Sequence, residues 1–232
     1  MPLLTNQQNK LMRKKGFIFD LDGVIVDTAK YHFIAWKNLA NSIDIDFTEL
    51  QNEQLKGVSR VKSLEKILKW GGKEISENQF TNLMQQKNDD YLSHIDKMNA
   101  QEILPDVCKI LDFLSEEKQG IALGSASKNA RMILKKVNLI EQFEAIVDGN
   151  DVTKGKPNPE VFLNAAKELK IQKENCIVFE DSVAGIQAAN TANMISIGIG
   201  DATVLHEADY IFNDFTEIES DFIKELIKET RI

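Results

Sequence analysis

Cysteine is almost absent. The chain of 232 residues has two, Cys108 and Cys176, both in apolar runs and far apart. They lack the close spacing of a metal or redox motif, so both are expected to be buried, reduced thiols, as in a cytosolic protein. A basic excess is also missing: 28 Lys and Arg stand against 36 Asp and Glu, a net charge of −8. Nucleic-acid backbones demand clustered cations, so that class of partner is disfavoured. No apolar run approaches the length of a membrane span. The opening stretch 1–15 is polar and lacks the continuous apolar core of a signal peptide. The expectation is a soluble, cytoplasmic, monomeric protein that meets small molecules rather than membranes. At 43% hydrophobic it can bury one sizeable core and a smaller second domain.

The run Phe17-Ile18-Phe19 is bounded by Lys14, Lys15 and Gly16 and leads into Asp20-Leu21-Asp22-Gly23. A short apolar run between turn signals predicts a buried strand, with its acids at the carboxyl end where open α/β sheets place ligands. If the strand continues, Asp20 and Asp22 leave the same face. From Thr28 to about Asn99 the pattern is helical throughout. Phe33, Trp36, Leu39 and Ala40 form one stripe, Val61, Leu64, Ile67 and Leu68 a second, and Phe80, Leu83, Met84, Tyr91 and Ile95 a third. Beyond Pro105 strands and helices alternate. Strands are expected at 120–124, 145–147, 176–179, 195–199 and 210–212, with an amphipathic closing helix in the tail from Thr216 that carries Ile218, Phe222, Leu226 and Ile227. That alternation predicts an α/β fold: a doubly wound, Rossmann-like parallel sheet with a helical cap inserted after the first strand. The expected division is a core of 1–27 and 100–232 and a cap of 28–99.

Three expected strands end in polar clusters: Asp20/Asp22, Ser125-Ala126-Ser127-Lys128-Asn129, and Glu180-Asp181. Lys154-Gly155-Lys156-Pro157 lies in a loop between strands. A carboxylate can attack phosphorus, and Asp20 is the candidate nucleophile. A second carboxylate two residues on can move a proton to or from the reacting oxygen, which is the natural role for Asp22. Charge spread over a phosphoryl group in transfer needs cations and donors, for which Ser125 and Lys156 are the right types. Asp20, Glu180 and Asp181 offer hard oxygen ligands suited to Mg²⁺. Each cluster also has a plainer reading. Glu180-Asp181 suits a helix start, Ser125 to Asn129 suits a capping loop, His32 and Trp36 suit packing, and lone Arg60, Lys87 and Lys128 suit solvated surface.

Taken in order, Asp20-Leu21-Asp22-Gly23, Ser125, Lys156 and Glu180-Asp181 resemble the four motifs of the haloacid dehalogenase superfamily. Asp27-Thr28-Ala29-Lys30-Tyr31-His32-Phe33, Gln54-Leu55-Lys56-Gly57-Val58-Ser59-Arg60, Ser125 to Asn129 and Glu180-Asp181-Ser182 narrow the resemblance to the β-phosphoglucomutase family, from about Gly16 onward. That family interconverts β-glucose 1-phosphate and glucose 6-phosphate through β-glucose 1,6-bisphosphate with Mg²⁺. The resemblance implies that Asp20 is phosphorylated and that Asp22 is the general acid and base. The main-chain carbonyl of Asp22 would join Asp20, Glu180 and Asp181 at the metal. Ser125, Ala126 and Lys156 would hold the transferring phosphate, with Lys156 favoured over Lys154 by its neighbour Pro157. Arg60, Ser127, Lys128 and Asn129 would grip the distal phosphate. His32 and Lys87 would align cap and core, while Trp36, Gly57, Val58 and Ser59 would line the sugar site. Two rival expectations remain: a sugar-phosphate phosphatase on the same fold, and a non-catalytic sugar-phosphate sensor.

Overall fold

In a computed structural model that describes residues 14–228, six parallel strands form one sheet. They are β1 (Gly16–Phe19), β2 (Gly120–Gly124), β3 (Ala145–Val147), β4 (Cys176–Glu180), β5 (Ile195–Ile199) and β6 (Tyr210–Phe212), in the order β3-β2-β1-β4-β5-β6. The expected doubly wound sheet is therefore present, with β1 at its centre. Successive side chains of a strand point to opposite faces, and the core divides accordingly. Phe17, Phe19, Leu123, Ile177 and Phe179 feed one face, whereas Ile18, Ala122, Cys176 and Val178 feed the other. Helices α5 (Val107–Glu116), α6 (Ala130–Lys136) and α9 (Ser220–Lys228) cover the first face, and α7 (Glu160–Glu168) and α8 (Val183–Thr191) cover the second. Among the described residues no helix is long and apolar enough to cross a membrane.

The cap is built from α1 (Ala29–Ser42), α2 (Glu49–Glu53), α3 (Arg60–Trp70) and α4 (Glu77–Ile95). It has its own apolar cluster around Trp36, Leu39, Phe47, Leu64, Ile67 and Leu83. Thr48 and Ser76 start α2 and α4 with capping boxes completed by Gln51 and Gln79. The segments leading into and out of the cap lie side by side. Val26 and Ile103 form an antiparallel bridge, flanked by Asp27 N–H to Glu102 C=O at 2.9 Å and Leu104 N–H to Ile25 C=O at 3.0 Å. The Glu102 carboxylate accepts from Lys30 Nζ at 2.9 Å and from the Tyr31 hydroxyl at 2.8 Å, which ties α1 to the outgoing segment.

Several expectations need correction. Strand β1 stops at Phe19, and the Leu21 carbonyl accepts the N–H groups of Val24, Ile25 and Val26. Asp22 thus sits on a turn and not on a continuing strand, because local bonds replace the ladder there. Cys108 is exposed rather than buried. The buried stripe of α5 is Val107, Ile110, Leu111 and Leu114, and a residue one step after Val107 is rotated off it by about 100°. Cys176 is buried as expected, and burial pushes its thiol up to about 12. Val61 is exposed, since α3 buries Ser63, Leu64, Ile67 and Leu68 instead. The closing helix begins only at Ser220, after a short 3-10 turn at Phe215–Glu217, although Ile218 is still buried. Of the polar opening stretch, all but Lys14 and Lys15 lies outside the described residues.

Aromatic packing anchors the centre of the sheet. Phe179 lies 4.7 Å from Phe19 and 5.4 Å from Phe215, centroid to centroid. Phe179→Ala should cost about 3–5 kcal/mol through lost burial and the cavity left behind, read as a lower denaturant midpoint at unchanged slope.

Candidate active site

The carboxyl ends of β1, β2 and β4, together with the loop before α7, bring the expected residues to one place. Lys156, fully buried, is wedged between two acids. Its Nζ donates to Asp20 Oδ1 at 2.5 Å and to Glu180 Oε2 at 2.7 Å. Lys154 is exposed, so the geometry separates the two lysines that the sequence offers for one role. Glu180 is locked on its other side, where Oε1 accepts from Ser182 N–H at 3.1 Å and from the Ser182 hydroxyl at 2.5 Å.

Asp20, Glu180 and Asp181 each place an oxygen within 4.8 Å of the others. Burial pushes the Asp20 carboxyl up to about 7, against the pull of Lys156 and with the help of Glu180 and Asp22. Burial likewise raises Asp181 well above the usual carboxylate range, with Glu180 adding to it and Lys56 opposing, its Nζ lying 3.7 Å from Asp181 Oδ2. Two buried acids and a half-buried third, with Lys156 between the first two and Lys56 beside the third, are short of positive charge. That deficit and the hard oxygen donors fit a divalent metal ion, which restores such carboxyls to their charged form.

Asp22 is held differently. The Thr28 hydroxyl donates to its Oδ1, and His32 Nε2 lies 3.6 Å from the same oxygen. Burial raises this carboxyl, yet His32, Thr28 and Lys87 outweigh it and the net shift is downward. Two acids two residues apart are therefore pushed in opposite directions. Behind them His32 Nδ1 meets Lys87 Nζ at 2.7 Å. Lys87 is buried with its ammonium over the rings of Trp36 at 4.9 Å and Tyr91 at 4.6 Å. Burial, aided by Arg60, lowers Lys87 to about 7. Burial also lowers His32, with Lys87 adding to the effect and Asp22 opposing it.

The cap meets the core across a cavity of about 880 Å³. Its lining includes Asp20, Asp22, Ser125, Ala126, Ser127 and Lys128 from the core and His32, Trp36, Arg60 and Lys87 from the cap. Gly57, Val58 and Ser59 lead into α3 at the cavity wall. Gly57 has φ +68, and a Cβ there would lie 2.4 Å from Ser182 Oγ, so the cap backbone meets the Ser182 side chain only because Gly57 has none of its own. In the loop after β2 the hydroxyl oxygens accept from the backbone, Ser125 Oγ from Ser127 N–H at 3.1 Å and Ser127 Oγ from Asn129 N–H at 3.3 Å, which fixes the two side chains.

Three expected site residues do not line the cavity. Lys156 and Glu180 lie beneath its floor, while the Asn129 amide donates to Asn88 Oδ1 on α4 at 3.2 Å. The sequence reading passed over Thr28, Lys56, Asn88, Tyr91 and Ser182 as site residues. Thr28, Lys56 and Ser182 adjoin motif residues in the chain, a signal that was there to be used. Tyr91, stacked on His32 at 4.1 Å, shows itself only as one more apolar position of α4.

Comparison with known proteins follows the same lines. The model of the haloacid dehalogenase-like hydrolase family matches residues 17–199. A β-phosphoglucomutase of Bacillus subtilis is 42% identical over 223 residues, covering 94% of this chain and 97% of that protein. The crystal structure of β-phosphoglucomutase from Clostridium difficile superposes with a TM-score of 0.88 at 40% identity, covering 92% of this chain and 97% of the other. A phosphorylated carbohydrates phosphatase of Thermotoga maritima is 28% identical over 182 residues, 78% of this chain and 82% of that one. With the family match running from β1 to the end of β5, the chain belongs to the haloacid dehalogenase-like hydrolases.

Proposed function

We propose that this protein is a β-phosphoglucomutase, which interconverts β-D-glucose 1-phosphate and D-glucose 6-phosphate through β-glucose 1,6-bisphosphate. The observation that carries the reading is a cavity shared by two surfaces: Asp20, Asp22 and Ser125 line it from the core and Arg60 lines it from the cap. A hexose carrying two phosphates can use both surfaces, and the 42% identity to the Bacillus subtilis enzyme supports the same choice.

The residues divide the work as follows. Lys156 holds Asp20 Oδ1, and the other carboxylate oxygen attacks phosphorus to form an aspartyl phosphate, with in-line displacement of the sugar oxygen. Ser125 and the backbone at Ala126 donate to the transferring phosphate, and Lys156 balances its charge. Asp22 rests as a carboxylate, ready to take the proton of a sugar hydroxyl as that oxygen attacks the phosphoryl group, and it returns the proton in the reverse step. Arg60 grips the distal phosphate with its planar fork, assisted by Ser127, Lys128 and Asn129. His32 and Lys87 align the cap, and Trp36, Gly57, Val58 and Ser59 border the sugar. Asp20, Glu180, Asp181 and the Asp22 carbonyl would hold Mg²⁺, which supplies charge neutralisation for the phosphoryl oxygens.

The bisphosphate must turn around between its two transfers, so the cap of residues 28–99 opens from the core of 1–27 and 100–232 and closes again. Closure also excludes the water that would hydrolyse the aspartyl phosphate. Sugar phosphates are confined by membranes, and the enzyme acts on them as a monomer in the cytoplasm.

The direct test supplies β-glucose 1-phosphate and, separately, its α anomer, with Mg²⁺ and a trace of bisphosphate, while glucose 6-phosphate and free phosphate are followed together. Glucose 6-phosphate from the β anomer is expected; free phosphate as the main product would assign the chain to the phosphatases instead, and no turnover would leave a sensor. Asp22→Asn should slow turnover by about 10²–10⁴-fold, the usual worth of a general acid–base; a near-normal rate would remove Asp22 from proton transfer. Gly57→Val, which pushes a side chain into Ser182, should lower kcat by about 10²-fold through misplaced closure, with a lower melting temperature as well because a β-branched residue at positive φ is strained.

A further inference from the structure

Against the loop 125–129 packs the turn 148–151, which follows the edge strand β3. Asp148 is completely buried, and its Oδ1 accepts from Asn150 N–H at 2.8 Å and from Asn150 Nδ2 at 2.9 Å. The same Nδ2 reaches across to the Lys128 carbonyl at 3.1 Å. Beside it Gly149 N–H donates to the Ser127 carbonyl at 3.2 Å. The approach is close: a Cβ on Gly149 would stand 2.4 Å from the Ala126 carbonyl oxygen. Two consecutive residues of the turn thus hold the two consecutive peptide carbonyls that bear the Ser127 and Lys128 side chains.

The turn is itself braced from α6. Arg131 places Nε 3.2 Å from Asp148 Oδ2, and its terminal nitrogen donates to Asp151 Oδ2 at 2.8 Å and to the Ile146 carbonyl at 2.6 Å. Asp151 Oδ2 in turn accepts from Asp148 N–H at 3.0 Å. Loop 125–129 runs directly into α6, so it is clasped between a helix and a turn that are cross-linked behind it. Lys128 is exposed, and a lysine on a free loop would carry its charge through many positions. Fixing its peptide narrows where that ammonium can go.

We propose that Asn150 is a positioning residue for the distal-phosphate subsite. Through the hydrogen bond that its side-chain amide donates to the Lys128 carbonyl, on a turn braced by Asp148 and Arg131, it sets Ser127 and Lys128 at the spacing from Arg60 that a second phosphate needs. The inference rests on the mutase reading of the cavity. It assigns Asn150 no contact with substrate; its effect passes through the Lys128 peptide, and binding of the sugar phosphate is where it shows.

Asn150 is exposed, so its replacement opens no cavity, and the buried Asp148 Oδ1 keeps the backbone N–H of residue 150 in either variant. The test compares the Mg²⁺-loaded full chain with Asn150→Ala and Asn150→Asp in two reactions. One is turnover of β-glucose 1-phosphate; the other is aspartyl-phosphate formation from acetyl phosphate, which has a single phosphate and no sugar to grip. Both variants lose the donor to Lys128, and both should raise KM for the sugar phosphate about 3- to 10-fold, the worth of one net hydrogen bond. Phosphorylation by acetyl phosphate and kcat should stay at the level of the unaltered protein. An unchanged KM in either variant, or a parallel fall in both reactions, would overturn the proposal. If the unaltered protein releases phosphate instead of making glucose 6-phosphate, the mutase reading fails by itself. The KM comparison then proceeds on phosphate release and decides the role of Asn150 separately.

Discussion

Everything at the active end of this molecule depends on one buried cation between two buried acids. Lys156 touches Asp20 and Glu180 at once, and each partner is useless to the others without it. Removal of one member of such a set leaves a charge stranded where water cannot reach, whereas the complete set holds geometry that a solvated group could not. The sheet makes the set possible. Strands β1 and β4 are neighbours in parallel register, Phe19 beside Phe179, so their carboxyl ends deliver Asp20 and Glu180 side by side. The aromatic stack beneath them then fixes the height of both.

Negative charge still exceeds positive after Lys156 is counted. The opposite displacements of Asp20 and Asp22 follow from where each finds relief. Asp20 is buried among other acids, while Asp22 has Thr28 and the cap's His32 beside it. The proposed nucleophile and the proposed proton carrier are thereby distinguished by surroundings, although they are the same residue type two positions apart. Because His32 belongs to α1, the surroundings of Asp22 are completed by the cap. The state of the cap is therefore written into the chemistry of the core.

Much of this was legible from the chain alone, and for identifiable reasons. A strand bounded by Lys15 and a following acid, the alternation after Pro105, and the helical block between were all carried by local periodicity, and the structure has each of them. The core motifs sit at strand ends, where sequence position and spatial position nearly coincide. Legibility failed where placement depends on distant partners. The turn after Phe19 is decided by the Leu21 carbonyl taking three N–H groups, and nothing in an alternating pattern foretells it. Cys108 looked like a core residue in an apolar stretch, but exposure on α5 is a matter of angle and not of neighbours in the chain. Asn88 and Tyr91 matter through what crosses from cap to core, which no window along the sequence contains.

The paired segments at the base of the cap carry a consequence of another kind. Val26 and Ile103 lie side by side, so the chain leaves the core and rejoins it at nearly the same point. From the side of the sheet the cap is a closed loop, and the cost of closing a loop grows only with the logarithm of its length, about 0.6 kcal/mol for each doubling. Between a turn of about 5 residues and the stretch from Phe19 to Gly120 lie roughly four doublings, so the cap adds only about 2–3 kcal/mol to bringing β1 and β2 together. Such an attachment makes the cap modular: segments of quite different length and shape could occupy the same two anchor points without disturbing the sheet. What a descendant of this chain acts upon could then change by exchange at Val26 and Ile103, with Asp20, Lys156 and Glu180 left as they are.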